Sequence, residues 1–82
     1  MITLQFYTRK ECSLCRSALA VVRRVQQRAS FELKVIDIDS DVLLREQYDS
    51  VIPVVTYGQM ELARSFIDEK KFQNDVQKVA KT

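Results

Sequence analysis

The sequence has no histidine, a single glycine and a single proline, and these scarcities exclude several kinds of protein. One glycine and one proline leave little material for a flexible linker or a low-complexity segment. We therefore expect one folded domain over residues 1–82. The net charge is only +2, and basic residues alternate with acidic ones in the last third, which is not the one-signed stripe of a nucleic-acid binder. No nucleic-acid partner is expected.

Long hydrophobic runs are also missing. No apolar stretch reaches the length of a membrane-spanning helix, and the first residues lack the charged leader and cleavage site of a secretory signal. We therefore expect no membrane association and a cytosolic, monomeric protein. Because the cytosol keeps thiols reduced, a lone disulfide there is more often transient and catalytic than structural.

The two cysteines, Cys12 and Cys15, are separated by Ser13 and Leu14. An apolar segment precedes them and a helical pattern follows, which is the context of a dithiol redox centre. Cysteines three apart in the first turn of a helix face the same side and lie close enough to join. Since the helix N-terminus favours an anion, we predict that Cys12 is the nucleophilic thiolate and Cys15 the resolving thiol.

Other interpretations of the cysteine pair stay open. A tetrahedral structural zinc site needs four Cys or His ligands, and one copy of this chain cannot supply them. Two chains could pool their thiolates around a metal or an iron–sulfur cluster, which would make the protein a carrier. A non-catalytic binding module could also retain the dithiol. No metal is expected at the acidic run of residues 37–41, because Val42 stands where a calcium loop needs glycine.

Hydrophobic periodicity predicts seven elements in the order βαβαββα. We expect the second strand to be largely buried. We expect Asp68 to cap the last helix, with Ile67 and Phe72 forming a hydrophobic staple around it. Together they indicate an α/β fold with a four-stranded mixed sheet flanked by helices. The first strand is expected at 2–7 and is followed by a helix at 13–28. A second strand at 31–38 and a short helix at 42–48 come next. Two further strands follow at 51–57 and 60–63, and the last helix begins after residue 68.

Four segments carry a family resemblance: residues 6–9, 12–15, 35–39 and 51–54. Through them the chain resembles the glutaredoxin branch of the thioredoxin superfamily over nearly its whole length. The resemblance implies a thioredoxin-like fold and a thiol–disulfide oxidoreductase. It further implies a cis peptide bond before Pro53, beside the cysteines, with Ile52 offering backbone hydrogen bonds to the substrate.

The same resemblance assigns substrate binding to Arg9, whose guanidinium would pair with a carboxylate of glutathione. Ser13 and Leu14 join Ile52 and Pro53 in the predicted substrate-binding set. They replace the usual proline and aromatic residue, and the glycine pair that binds glutathione is missing from residues 61–65. No cofactor is required. The expected partners are a disulfide-containing protein or a low-molecular-weight thiol, with a reductase or glutathione as electron donor.

Overall fold

A computed structural model describes residues 1–81 of the chain, so the predicted domain over 1–82 extends one residue beyond the described range. The order of elements is the predicted one, with a single turn of 3-10 helix, Ile38–Ser40, added after the second strand. The elements are β1 (Thr3–Thr8), α1 (Ser13–Arg28), β2 (Glu32–Asp37), α2 (Val42–Tyr48), β3 (Val54–Tyr57), β4 (Met60–Arg64) and α3 (Glu69–Ala80).

The strands form one mixed sheet in the order β2-β1-β3-β4. β1 is parallel to β2, and β3 is antiparallel to both β1 and β4. In the β1–β3 register Tyr7 lies opposite Val54, so the residues that enter β3 lie beside the end of β1. This confirms the predicted α/β fold with a four-stranded mixed sheet, and it brings the 52–53 segment to the sheet end from which α1 departs.

The hydrophobic core lies on one face of the sheet, under α1 and α3. Alternation along β1 directs Leu4 and Phe6 to this face, where both are fully buried. They join Val22 of α1 and Phe72 of α3 in one cluster. The Phe72 ring meets the ring of Phe31 edge to face, with ring centroids 6.5 Å apart. Sheet and helices are therefore joined by a continuous apolar layer.

The last residue of α2 packs on the opposite face of the sheet. The ring of Tyr7 stacks on that of Tyr48 in α2, with centroids 4.5 Å apart and planes 25° from parallel. Beside them Gln5 accepts hydrogen bonds from the hydroxyl of Thr56 at 2.9 Å and the backbone N–H of Gly58 at 3.2 Å. Gly58 has a φ of +61°, a conformation that glycine adopts without strain, and it turns the β3–β4 hairpin.

β2 is more exposed than the sequence predicts. It pairs only with β1 and is an edge strand, and Val35 within it is 45% exposed. No residue of Glu32–Asp37 is buried, although Phe31 and Ile38, which flank the strand, are. The prediction of a largely buried strand is wrong because burial depends on the strand order, which long-range pairing decides.

The start of α3 follows the predicted capping pattern. The Asp68 carboxylate accepts a hydrogen bond from the backbone N–H of Lys71 at 3.1 Å. The preceding Ile67 and the following Phe72 are both buried in the core cluster, which is the arrangement of a hydrophobic staple. The chain that leads from β4 into α3 is thus held on both sides of Asp68.

Candidate functional site

The two cysteines lie together at the N-terminus of α1. Cys12 is the N-cap residue, with an extended backbone, and Cys15 lies in the first turn. Their sulfur atoms are in disulfide contact, and their Cα atoms are 5.2 Å apart, within the usual range for a disulfide. The backbone N–H of Cys15 donates a hydrogen bond to Cys12 Sγ at 3.1 Å. Helix geometry therefore brings the predicted pair into bonding position.

The two sulfurs differ in exposure. Cys12 is half-buried, whereas Cys15 is only 3% exposed. A thiolate can attack a partner disulfide only if the partner sulfur can reach it, and of the two cysteines only Cys12 is accessible. This difference supports Cys12 as the nucleophile and Cys15 as the resolving thiol, and both roles stay predictions.

A shallow cleft of about 250 Å³ opens beside the disulfide on the side of the β1–α1 connection. Lys10 and Arg16 line it together with the cysteines, and neither forms a salt bridge with another residue in the 1–81 range. Glu11 lies on the same rim and partly offsets their charge. The first turn of α1 carries no acidic residue, so the surroundings of Cys12 favour an anion.

Arg9 is engaged by two carboxylates of the protein. Its Nε and one terminal nitrogen donate to both oxygens of Asp39, at 3.0 and 2.8 Å, and the other terminal nitrogen donates to Asp49 at 2.7 Å. The guanidinium thus ties the end of β1 to the 3-10 turn and to the end of α2. The predicted glutathione-binding role remains a prediction, and it would require Arg9 to exchange one of these partners.

The hydrogen bonds from Arg9 hold the pKa of Asp39 below its ordinary value of 3.8. Because the folded-state pKa is lowered, the ion pair stabilises the fold above pH 3.8, and this stabilisation is lost as the pH falls through the folded-state pKa.

We therefore expect Arg9→Ala to lower the free energy of unfolding near neutral pH. The difference in this free energy between the variant and the natural protein should shrink in acid. Urea unfolding at about pH 6 and about pH 3 measures this difference. Arg23→Ala is the control, because within residues 1–81 the Arg23 side chain hydrogen-bonds only to Gln26. An Arg9 effect of equal size at both pH values would contradict the ion-pair account.

The Ile52–Pro53 peptide bond is cis, as the family resemblance implies. The Pro53 carbonyl accepts a hydrogen bond from the backbone N–H of Ser65 at 2.7 Å. Ile52 is half-buried, and within residues 1–81 its backbone N–H and carbonyl form no hydrogen bond. Its free backbone groups suit the predicted contact with a substrate, which stays a prediction.

Two apolar side chains stand exposed on the other side of the first turn of α1. Leu14 is 45% exposed and Phe66, between β4 and α3, is 76% exposed. Ser13, the first residue of α1, is exposed as well. Phe66 was not identified from the sequence. Its position between a strand and the aspartate that caps the next helix was a signal that it could lie outside the core. The two side chains share a groove of about 50 Å³ with residues Ser17, Ala18, Val21, Ser65 and Ile67.

No group of three Cys, His, Asp or Glu side chains lies together as metal ligands anywhere in the described part of the chain. The helices between residues 1 and 81 are also too short or too polar for any of them to cross a membrane.

Comparisons with known proteins agree with this geometry. A family model described as a glutaredoxin-like domain (DUF836) matches residues 3–77. The solution structure of protein Ne2328 from Nitrosomonas europaea is 32% identical in sequence, with a TM-score of 0.75, and the match covers 89% of this chain and 88% of that one. A search of curated proteins finds no match.

Two more distant structures share the fold. Protein XcR50 from X. campestris is 20% identical with a TM-score of 0.78, and the match covers 92% of this chain and 96% of that one. Thioredoxin 1 from Thermosipho africanus is 15% identical with a TM-score of 0.69, and the match covers 98% and 96%. At these identities the likeness shows a thioredoxin-type fold alone.

Proposed function

This chain belongs to the glutaredoxin-like domain family, and from that premise we propose that it is a thiol–disulfide oxidoreductase that works through Cys12 and Cys15. The observation that carries the proposal is the sulfur pair itself. The two sulfurs are in disulfide contact at a helix N-terminus, with one accessible and the other shielded. Such an arrangement can pass two electrons to another disulfide and take them back from a thiol.

The helix end favours the anionic form of Cys12 in the reduced protein. The backbone N–H of Cys15 already points at Cys12 Sγ from 3.1 Å, and a hydrogen bond to a thiolate is stronger than one to a neutral sulfur. The partial positive charge of the helix N-terminus adds to this, as do Lys10 and Arg16 in the adjoining cleft. Cys12 is therefore the sulfur prepared to attack.

The reaction proceeds in two displacements. The Cys12 thiolate attacks one sulfur of the partner disulfide, a bond forms between them, and the other partner sulfur leaves as a thiolate that takes up a proton. The Cys15 thiol then loses its proton and attacks Cys12 Sγ, which breaks the mixed disulfide and releases the second partner thiol. The partner gains two electrons and two protons, and the protein is left with the Cys12–Cys15 disulfide.

The substrate is proposed to lie over Ser13 and Leu14 and along the 52–53 segment, where the unpaired backbone of Ile52 can receive it and Pro53 forms the floor. The partner is a protein disulfide or a low-molecular-weight disulfide. A second thiol system, glutathione or a reductase, must return the protein to its dithiol form. We place this cycle in the cytosol, where such reductants keep thiols reduced.

A direct test is to reduce the protein, remove the reductant and add bis(2-hydroxyethyl) disulfide. We expect the protein to lose two hydrogen atoms by mass spectrometry while an equal amount of disulfide is converted to 2-mercaptoethanol. Equilibration in glutathione buffers would then give the reduction potential of the pair. If the dithiol persists with every disulfide offered, the oxidoreductase proposal is wrong, which would leave the two other interpretations of the cysteine pair, a carrier with thiolates shared between two chains or a non-catalytic binding module.

A further inference from the structure

β2 leaves one edge of the sheet open. The strand pairs only with β1, and no strand of the described chain covers its other side. Its residues include no proline and no glycine, and its register with β1 is unbroken from end to end. A regular edge of this kind presents unpaired backbone N–H and carbonyl groups, onto which a further strand can add.

The backbone groups at the open edge belong to Leu33 and Val35. The N–H of Glu32 donates a hydrogen bond to the carbonyl of Ile2 at 2.9 Å, so the backbone of Glu32 is directed toward β1. Successive residues of a strand direct their backbone groups to opposite sides, and those of Leu33 and Val35 are therefore directed away from β1. An added strand would hydrogen-bond to these two residues.

The side chains of β2 divide between the two faces of the sheet. Leu33 and Val35 lie beside core residues of β1 and point to the core face, yet Val35 is 45% exposed. Glu32 and Lys34 lie on the opposite face, and both are exposed. Within residues 1–81 neither of them forms a salt bridge. Apolar area and two opposite charges thus remain available along this edge.

We propose that a second copy of this chain adds to the edge, with the two β2 strands antiparallel and related by a two-fold axis at Leu33. In this register Leu33 lies opposite its counterpart, and Glu32 of each copy lies opposite Lys34 of the other. Symmetry makes the contacts reciprocal, so this ion pair occurs twice. Opposite charges across an antiparallel pair stabilise it, and like charges destabilise it. An axis at Glu32 or at Lys34 would place like charges opposite each other, so the charge order along β2 selects one register.

The ends of the paired strands set the extent of the contact. Val35 would lie opposite Phe31 of the other copy, whose carbonyl accepts a hydrogen bond from the Gln26 side chain at 2.8 Å. A carbonyl oxygen has two lone pairs, so it can also accept from the N–H of Val35. The contact involves one short strand from each copy, and interfaces below about 1,200 Å² are typical of weak association. The expected product is a dimer that forms at high protein concentration.

The test is sedimentation equilibrium of the full-length protein in its Cys12–Cys15 disulfide form, which has no free thiol to join two copies. Between about 10 µM and about 1 mM we expect the average mass to rise from monomer toward dimer. Glu32→Lys and Lys34→Glu should each raise the dissociation constant about tenfold or more, because each creates like-charge pairs on both sides of the axis. Lys70→Glu makes the same change of charge at an exposed position on α3 and should leave this constant unchanged.

An equimolar mixture of Glu32→Lys and Lys34→Glu identifies the register. One variant carries lysine at both positions and the other carries glutamate at both, so opposite charges face each other only in the mixed pair. We expect the mixture to recover the dimer that neither variant forms alone. The double variant Glu32→Lys/Lys34→Glu should dimerise as the natural protein does.

Amide hydrogen exchange gives a second measurement, since the N–H groups of Leu33 and Val35 should exchange more slowly at high protein concentration than at low. A monomer at every concentration would overturn the inference. A dimer that both single reversals leave intact, that Lys70→Glu weakens equally, or that leaves these two exchange rates unchanged would overturn it as well. None of these outcomes bears on the disulfide chemistry, which bis(2-hydroxyethyl) disulfide tests separately.

Discussion

Cys12→Ser should abolish disulfide exchange, whereas Cys15→Ser should stop the reaction halfway and leave the partner attached. A serine hydroxyl at position 12 is not ionised and cannot displace a thiolate, so the rate should fall by about a thousandfold or more, as when other enzymes lose their nucleophile. With serine at position 15 the first displacement still occurs, but no thiol remains to release the mixed disulfide.

The measurement is the reaction of each reduced variant with 5,5′-dithiobis(2-nitrobenzoate). The natural protein should release two thionitrobenzoate ions per molecule and keep none, because Cys15 displaces the one bound to Cys12. Cys15→Ser should release one and retain one, which mass spectrometry detects as an adduct. Ser50→Ala, at an exposed position, is the control and should match the natural protein. A stable adduct found only with Cys12→Ser would reverse the roles of the two sulfurs.

Phe72→Ala should cause a large loss of stability. Phe72 is 2% exposed, belongs to the core cluster and meets Phe31 edge to face. Truncating a buried phenylalanine to alanine costs about 3–5 kcal/mol, because apolar contacts are lost and a cavity remains. Small domains have unfolding free energies of about 5–15 kcal/mol, so this loss is a large fraction of the total stability.

Phe66→Ala supplies the matched comparison, since the same side chain is removed from an exposed position. Its effect on the free energy of unfolding should stay within about 0.5 kcal/mol, the usual range for surface substitutions. Urea denaturation followed by circular dichroism gives both values, and an unchanged slope of the transition confirms that the same surface is exposed on unfolding. A loss with Phe66→Ala as large as that with Phe72→Ala would show that the Phe66 side chain is packed in solution, against its exposure in the structure.

Local patterns in the sequence were sufficient where local forces decide the structure. The bounds of α1 follow from its apolar spacing, and the start of α3 from Asp68 and the staple that flanks it. The glycine at the β3–β4 turn marks the hairpin. The cysteine spacing predicts the pairing of Cys12 with Cys15, because both occupy the first turn of one helix. These features need contacts over only a few residues.

What the sequence did not reveal depends on contacts between distant segments. The burial of β2 is set by its place at the sheet edge, and no pattern within the strand reports that place. Asp39 becomes a neighbour of Arg9 because the parallel strands β1 and β2 end side by side. The predicted order of elements already implied that these two strand ends lie close together. The exposure of Phe66 follows from the hydrophobic staple, because Ile67 takes the core position and Phe66 lies outside the cluster.

Peroxide should oxidise Cys12 faster than Cys15, because Cys15 is shielded from solvent and Cys12 is accessible. Oxidation of the Cys12 thiolate gives a sulfenic acid, which could otherwise proceed to the irreversible sulfinic and sulfonic acids. The adjacent Cys15 thiol can condense with the sulfenic acid, expelling water and forming the disulfide before a second oxidant arrives. We therefore expect the buried sulfur to convert oxidative damage at Cys12 into a disulfide, a form that a thiol reductant can repair.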